Sequence, residues 1–336
     1  VPSNALQIPL FLDSDRMGYL VDSLSPERVE AQRSVVMNER RQSYENRPYG
    51  MAEIVLGEML FPPGYPYHWP VIGYMEDLKA ATYNDVVEFF KKYYGPNNAS
   101  LVIAGDIDPA ATRKLVETWY SDVKRGEPVE PLVTTVAPVL NEVKRRTITD
   151  RVQLPRLHLA WITPAMFKPG DAALDAAAGV LAGGKNSRLY KRLVYDLQVA
   201  QDVSAYQQSQ ALASMFLIVV TPRPGHTVEE MRKIVDEELQ KLRDAPPTER
   251  ELQRVVNQTE ASFYGRMERV GGFGGIADQL NAYYTMTGIP DYFSEDLARY
   301  RALKPADVQA IVRQYLPANK RVELVVMPEA QKGGVK

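Results

Sequence analysis

The chain has 336 residues, 45% of them hydrophobic and 24% charged, with a formal net charge of −2. Such a chain can bury two cores or one large one, and its interspersed charges form no basic stripe of the kind nucleic acid requires. No apolar run reaches the roughly 18 residues of a membrane-crossing helix, and the absence of cysteine removes disulfides and thiolate chemistry while fitting either redox compartment. The start at Val1, with no signal-like segment behind it, reads as a processed or truncated N-terminus.

In chain order, Ser25-Pro26-Glu27 opens a helix with a cap, a first-turn proline and an early acid. On that helix Gln32, Val35, Val36 and Glu39 recur at i, i+3, i+4 and i+7 and share one face, expected to point inward, while Arg33, Arg40 and Arg41 lie elsewhere. An inward carboxylate needs a cation, a donor or a metal, and a salt bridge to a neighbouring arginine is the plainest of these. Thr82 caps a second helix bearing Val86, Val87, Phe89 and Phe90, and Leu101–Ala104 reads as a strand closed by Gly105-Asp106. Residues 126–143, with Pro128, Pro131 and Pro138, read as an interdomain linker. Beyond it the pattern predicts strands at Leu157–Trp161, Val199–Gln207 and Met215–Val220. Helices are expected at Asp171–Leu181 and Thr227–Arg243, then helical chain from Glu249 to Gln314, broken at Gly271-Gly272 and Pro290.

The chain also repeats itself. Pro26-Glu27-Arg28-Val29-Glu30-Ala31-Gln32-Arg33 resembles Pro247-Thr248-Glu249-Arg250-Glu251-Leu252-Gln253-Arg254, an offset of 221 that also pairs Glu39 with Glu260. Tyr94-x-Pro96-x-Asn98 meets Tyr315-x-Pro317-x-Asn319 at the same offset, and each precedes an apolar strand-like run. Two matches in one register argue for duplicated α+β domains. On that register the second copy begins near residue 107, so the first would lack its opening half.

Self-sufficient chemistry is hard to find. His68, His158 and His226 are far apart and form neither H-E-x-x-H nor H-x-x-E-H. His158 reads as a core or supporting residue in mid-strand, His68 as part of an aromatic-proline loop and His226 as a turn residue. Gly179-Val180-Leu181-Ala182-Gly183-Gly184-Lys185-Asn186 almost spells a phosphate-binding loop, but Asn186 stands where Ser or Thr should hold Mg²⁺ and Gly179 lies inside an Ala-rich helix. A helix end followed by a turn, with Ser187 capping the next helix, is the expected structure. Gly271-Gly272-Phe273-Gly274-Gly275 reads as a joint between helices.

Val35-Val36-Met37-Asn38-Glu39-Arg40-Arg41-Gln42-Ser43-Tyr44 resembles the segment around the third zinc ligand of the pitrilysin/insulinase-type peptidases, the inverzincins. Asp15-Arg16-Met17, His68-Trp69-Pro70-Val71-Ile72-Gly73, the run from Tyr94 to Asp106, and Ser187-Arg188-Leu189-Tyr190-Lys191-Arg192-Leu193 are similar to other parts of that family, so the resemblance covers nearly the whole chain. It implies an α+β fold of two homologous α/β-sandwich domains, half of a clamshell, the first incomplete at its N-terminus. The expected division is 1–125 for the first domain, 126–145 for the linker and 146–330 for the second.

The resemblance further implies a Zn²⁺ cofactor with Glu39 as a metal ligand. The two histidine ligands and the general base would come from an H-x-x-E-H upstream of Val1. Gln32 stands where the family often has another glutamate. Arg192 matches a substrate-gripping arginine, but its usual tyrosine partner seven residues on is Val199, which has no hydrogen to offer an oxyanion; losing one such donor costs roughly 10²–10³ in rate. Tyr195, three residues away, substitutes poorly, and Tyr206 lies on a later strand. The implied protein is the metal-site subunit of a bacterial two-subunit endopeptidase acting on short or unfolded peptides, in the periplasm rather than the cytoplasm. It would be inactive as this fragment and would pair with a related subunit carrying the Arg/Tyr pair. The rival is a non-catalytic family member serving as scaffold, as the respiratory-complex core proteins resemble.

Overall fold

The computed structural model describes residues 1–134 and 138–329, so residues 135–137 of the expected linker and residue 330 of the expected second domain lie outside the described residues. The chain divides into two units. One comprises Val1–Arg40, Ile72–Val133 and Phe263–Phe293; the other comprises Arg41–Val71, Thr134–Ser262 and Ser294–Lys336.

The first unit is built on helices α1 (Gln7–Ser23), α2 (Pro26–Arg40), α4 (Met75–Ala80), α5 (Tyr83–Tyr93), α6 (Pro109–Tyr120) and α10 (Ile276–Thr287). The starts follow local chemistry. Thr82 and Asp85 form a reciprocal capping box on α5, and Asp108 accepts from the Ala111 amide at 2.7 Å ahead of Pro109 on α6. Helix α1 packs on α5 and α6, and α2 on α4 and α5.

Leu101–Ala104, expected as a strand, is not one. Strand backbone needs a ladder partner for its amides and carbonyls, and every strand among the described residues belongs to the other unit. Shifted by 221, the same run falls on Val322–Val325, which is paired on both sides.

The second unit carries β1 (Lys144–Asp150), β2 (Arg156–Thr163), β3 (Ala200–Gln208), β4 (Ser214–Pro222) and β5 (Val322–Pro328) in the order β1-β5-β2-β4-β3. Only β1 and β5 run parallel. On one face Leu157, Leu159, Trp161, Phe216, Ile218 and Val220 pack with α7 (Asp171–Ala182), α8 (Val228–Asp244) and α12 (Pro305–Tyr315). On the other, Ala160, Met215, Leu217, Leu324 and Val326 meet α3 (Met51–Leu60) and Phe61. With both faces covered, β4 is buried along its whole length, which is why its run is continuously apolar instead of alternating.

The helical stretch after Glu249 forms α9 (Glu249–Met267), α10, α11 (Phe293–Arg301) and α12, broken at the glycines and Pro290 as expected. It also breaks ahead of Pro305, which was not expected. Wide π-type turns extend α2 over Arg41–Glu45 and form Tyr190–Asp196.

Candidate functional site

Helix α2 presents its faces the opposite way from the sequence expectation. Arg40 is buried, with Nε donating to the Gly73 carbonyl at 3.0 Å, and Arg33 reaches the Ala81 carbonyl and Glu30. These carbonyls flank α4, so the basic side of α2 is spent on closing that loop. Gln32, Val35 and Glu39 are exposed instead, Val35 to 55%, and Val36 is half-buried. The Glu39 carboxylate has no hydrogen-bond or ion-pair partner among the described residues. Its repeat counterpart Glu260, on α9, is ion-paired with Arg301. The arginine contact expected of such a glutamate is therefore made in the second copy and not in the first.

Arg192 lies in the π-type segment, where Nη1 donates to Glu238 at 2.8 Å and Nη2 to Glu237. Val199 is a buried core residue, Tyr195 is exposed, and Tyr206 stands on edge strand β3.

The near phosphate-loop is explained by packing. A Cβ on Gly179 would meet Val255 Cγ1 of α9 at 2.7 Å, one on Gly183 would meet the Gly179 carbonyl oxygen at 2.6 Å, and Gly184 has φ +89°. Ser187 precedes the next helix, but its hydroxyl donates back to the Gly184 carbonyl at 2.6 Å and caps no amide.

The histidines sort differently. His68 Nδ1 is 2.8 Å from the Phe61 carbonyl oxygen, and His226 pairs with Glu230 at 2.9 Å. His158 is 7% exposed on β2 and its Nε2 has no hydrogen-bond partner among the described residues. Burial, reinforced by the Arg156 charge, lowers its pKa to about 4, so it is neutral at pH 7.

A mixed five-stranded sheet with helices on both faces, joined in sequence to a helical unit, places the chain in the α+β class. Its family follows from comparison: the chain belongs to the family described as Peptidase M16 inactive domain, whose profile matches residues 80–259. Among curated relatives it is similar to the zinc protease PqqE of Helicobacter pylori, 27% identical over 95% of this chain and 71% of that protein. An uncharacterized zinc protease of Streptomyces coelicolor is 26% identical over 74% of this chain, which spans only 54% of that protein. Among solved structures, a protease from Helicobacter pylori superimposes with a TM-score of 0.87 at 24% identity, covering 97% of this chain and 77% of that one.

Zinc, which these relatives' names attach to the family, commonly takes three protein donors in a catalytic site. Among the described residues no group of three or more His, Cys, Asp or Glu could hold a metal ion, and the unit containing Glu39 has no histidine. These residues by themselves do not fit the ion. No helix among them is long and apolar enough to cross a membrane.

Proposed function

We propose that this chain is the zinc-ligand-bearing part of an endopeptidase hydrolysing short or unfolded peptides, with Glu39 as the metal-ligating carboxylate. The histidine ligands and general base belong, on this reading, to an H-x-x-E-H segment outside these residues. The two copies, 1–125 and 146–330, form one half of the working enzyme. A related subunit with the Arg/Tyr pair supplies the other half, in the bacterial periplasm.

The observation that carries the reading is the contrast between two glutamates in one repeat register. Glu260 is neutralised by Arg301, whereas Glu39 is exposed and without a partner among the described residues, on a face whose apolar neighbour Val35 is also uncovered. A carboxylate left without a cation is available to a metal. Arg192 belongs to the proposal as a substrate contact, although a substrate would compete there with Glu237 and Glu238.

The test is metal analysis of a protein extended to include the H-x-x-E-H segment. Glu39→Gln should abolish zinc retention, Glu260→Gln should retain it, and the 336-residue chain alone should neither hold stoichiometric zinc nor cleave peptides. Equal zinc loss in both variants, or EDTA-sensitive cleavage by the short chain, would overturn the assignment. The scaffold reading draws on the family's description as an inactive domain, and a degenerate H-x-x-E-H would favour it.

A further inference from the structure

The sheet face opposite α7 holds a polar cavity that the reading above leaves unused. Strand alternation puts Arg156 and His158 of β2 on that face, and the register through Leu217 and Val219 of β4 brings Tyr206 of β3 to the same side. Arg47, Tyr49 and Glu53, around the start of α3, help enclose about 350 Å³ with them. That lies within the ordinary range of small-ligand pockets, about 300–1,000 Å³.

Its polar groups are mostly donors held ready. The Arg156 guanidinium stacks 3.6 Å from the Tyr49 ring centroid, and its Nε donates to Thr221 Oγ1 at 2.9 Å. Thr221 in turn donates to Asp202 at 3.2 Å. The head is thereby fixed, yet its two terminal nitrogens have no partner among the described residues. Arg47 is exposed, and neither its guanidinium nor the Tyr206 hydroxyl has a partner among the described residues. Burial, with the nearby charge of Glu53, raises the Tyr206 pKa and keeps it a donor. His158 is the second, independent sign: a ring 7% exposed with Nε2 unsatisfied, a defect that native proteins rarely retain without use.

We propose that this cavity binds the carboxylate of a peptide, whether an acidic side chain or a free C-terminus. A planar fixed guanidinium matches a carboxylate with two parallel hydrogen bonds, the Tyr206 phenol adds a donor, and the neutral His158 ring lines the same cavity. The net charge of Arg47, Arg156 and Glu53 is +1, which suits a monoanion better than a phosphate dianion. Carboxylate recognition rests on the cavity alone; the choice of a peptide as its carrier rests on the peptidase reading.

Calorimetric titration of the metal-free protein at pH 7 tests this with acetyl-Ala-Glu-Ala-amide, acetyl-Ala-Gln-Ala-amide and acetyl-Ala-Ala-Ala with a free C-terminus. At least one carboxylate peptide should saturate and bind tenfold or more tighter than the glutamine peptide, and which one does identifies the source. Arg156→Met, checked for folding by circular dichroism, should weaken that binding about 10- to 100-fold. His158→Leu should weaken binding and raise Tm, since it removes an unsatisfied buried group; a purely structural histidine would lower Tm. Saturation by neither carboxylate peptide, equal binding of all three, or a His158→Leu protein with lowered Tm and unchanged affinity would overturn the proposal. No metal is involved, so these outcomes are independent of the Glu39 assignment.

Discussion

Replacing Asp175 with asparagine probes how the second unit handles surplus negative charge. Asp171 and Asp175 lie one turn apart on α7, and α11 brings Asp296 and Arg299 to them, followed by Tyr300. Arg299 already serves two carboxylates, with Nη1 3.2 Å from Asp171 and Nε 3.0 Å from Asp296. Asp175 is left with the Tyr300 hydroxyl, which donates to it at 2.7 Å. Burial, aided by the charges of Asp171 and Asp296, raises its pKa from 3.8 to about 7 against the opposing pull of the Tyr300 bond and Arg299. The folded state therefore binds this proton more tightly than the unfolded chain does. The penalty is absent below about pH 4, grows as pH rises through about 7, and is constant above.

At about 1.4 kcal/mol per unit the shift amounts to on the order of 4 kcal/mol, and the side chain's remaining solvent contact trims this to about 2–3 kcal/mol. Asparagine keeps the volume and still accepts from Tyr300. Asp175→Asn should therefore unfold in urea with about 2–3 kcal/mol more stability than the parent at pH 8 and with little difference at pH 4. A variant no more stable than the parent at pH 8, or one with the same offset at both pH values, would refute the charge argument.

Two further substitutions test the packing and the acid limb. Gly179→Ala should lower Tm by several degrees although alanine is the better helix former, because its Cβ would sit 2.7 Å from Val255 Cγ1 and overpacking costs about 1–3 kcal/mol; a raised Tm in calorimetry would contradict the close α7–α9 approach. Arg188 grips Glu251 with two bonds of 2.7 and 3.0 Å and, with the Thr248 amide and hydroxyl, holds its pKa down to about 2. Its contribution is complete above about pH 4.5 and lost as pH falls toward 2, so Glu251→Gln should flatten the fall in stability between pH 5 and 2 in acid-titrated circular dichroism.

Where the sequence was readable, the signals were local. Thr82, Thr227 and Pro26 mark helix starts with side-chain chemistry that needs no tertiary partner, and α5, α8 and α2 begin at or directly after them. The buried strands β2 and β4 were visible as apolar runs because both sheet faces are covered. Leu101–Ala104 carried the same signal and failed, since apolar β-type sequence becomes a strand only where another strand lies alongside. Val322–Val325, its counterpart at offset 221, has β1 and β2 as neighbours and pairs with both.

The candidate sites follow the same division. Periodicity correctly put Gln32, Val35 and Glu39 on one face of α2, but it could not say which way that face points. That depended on Arg33 and Arg40 finding the carbonyls of Ala81 and Gly73, contacts between residues 33 to 48 positions apart. Arg192 matched a substrate-gripping arginine in sequence, and only the fold brings Glu237 and Glu238 to it. His158 was visible as the single titratable group within the apolar run of β2, and its i−2 neighbour Arg156 shares its face by strand alternation alone. What no spacing rule could supply is that Tyr49 and Thr221, 107 and 65 residues away from Arg156, fix its guanidinium, that Tyr206, 50 residues away, joins the same cavity, and that the His158 ring nitrogen is left unsatisfied. A lone polar residue in a buried strand is thus a reason to ask what else its face will meet, and here the answer is a row of unspent donors.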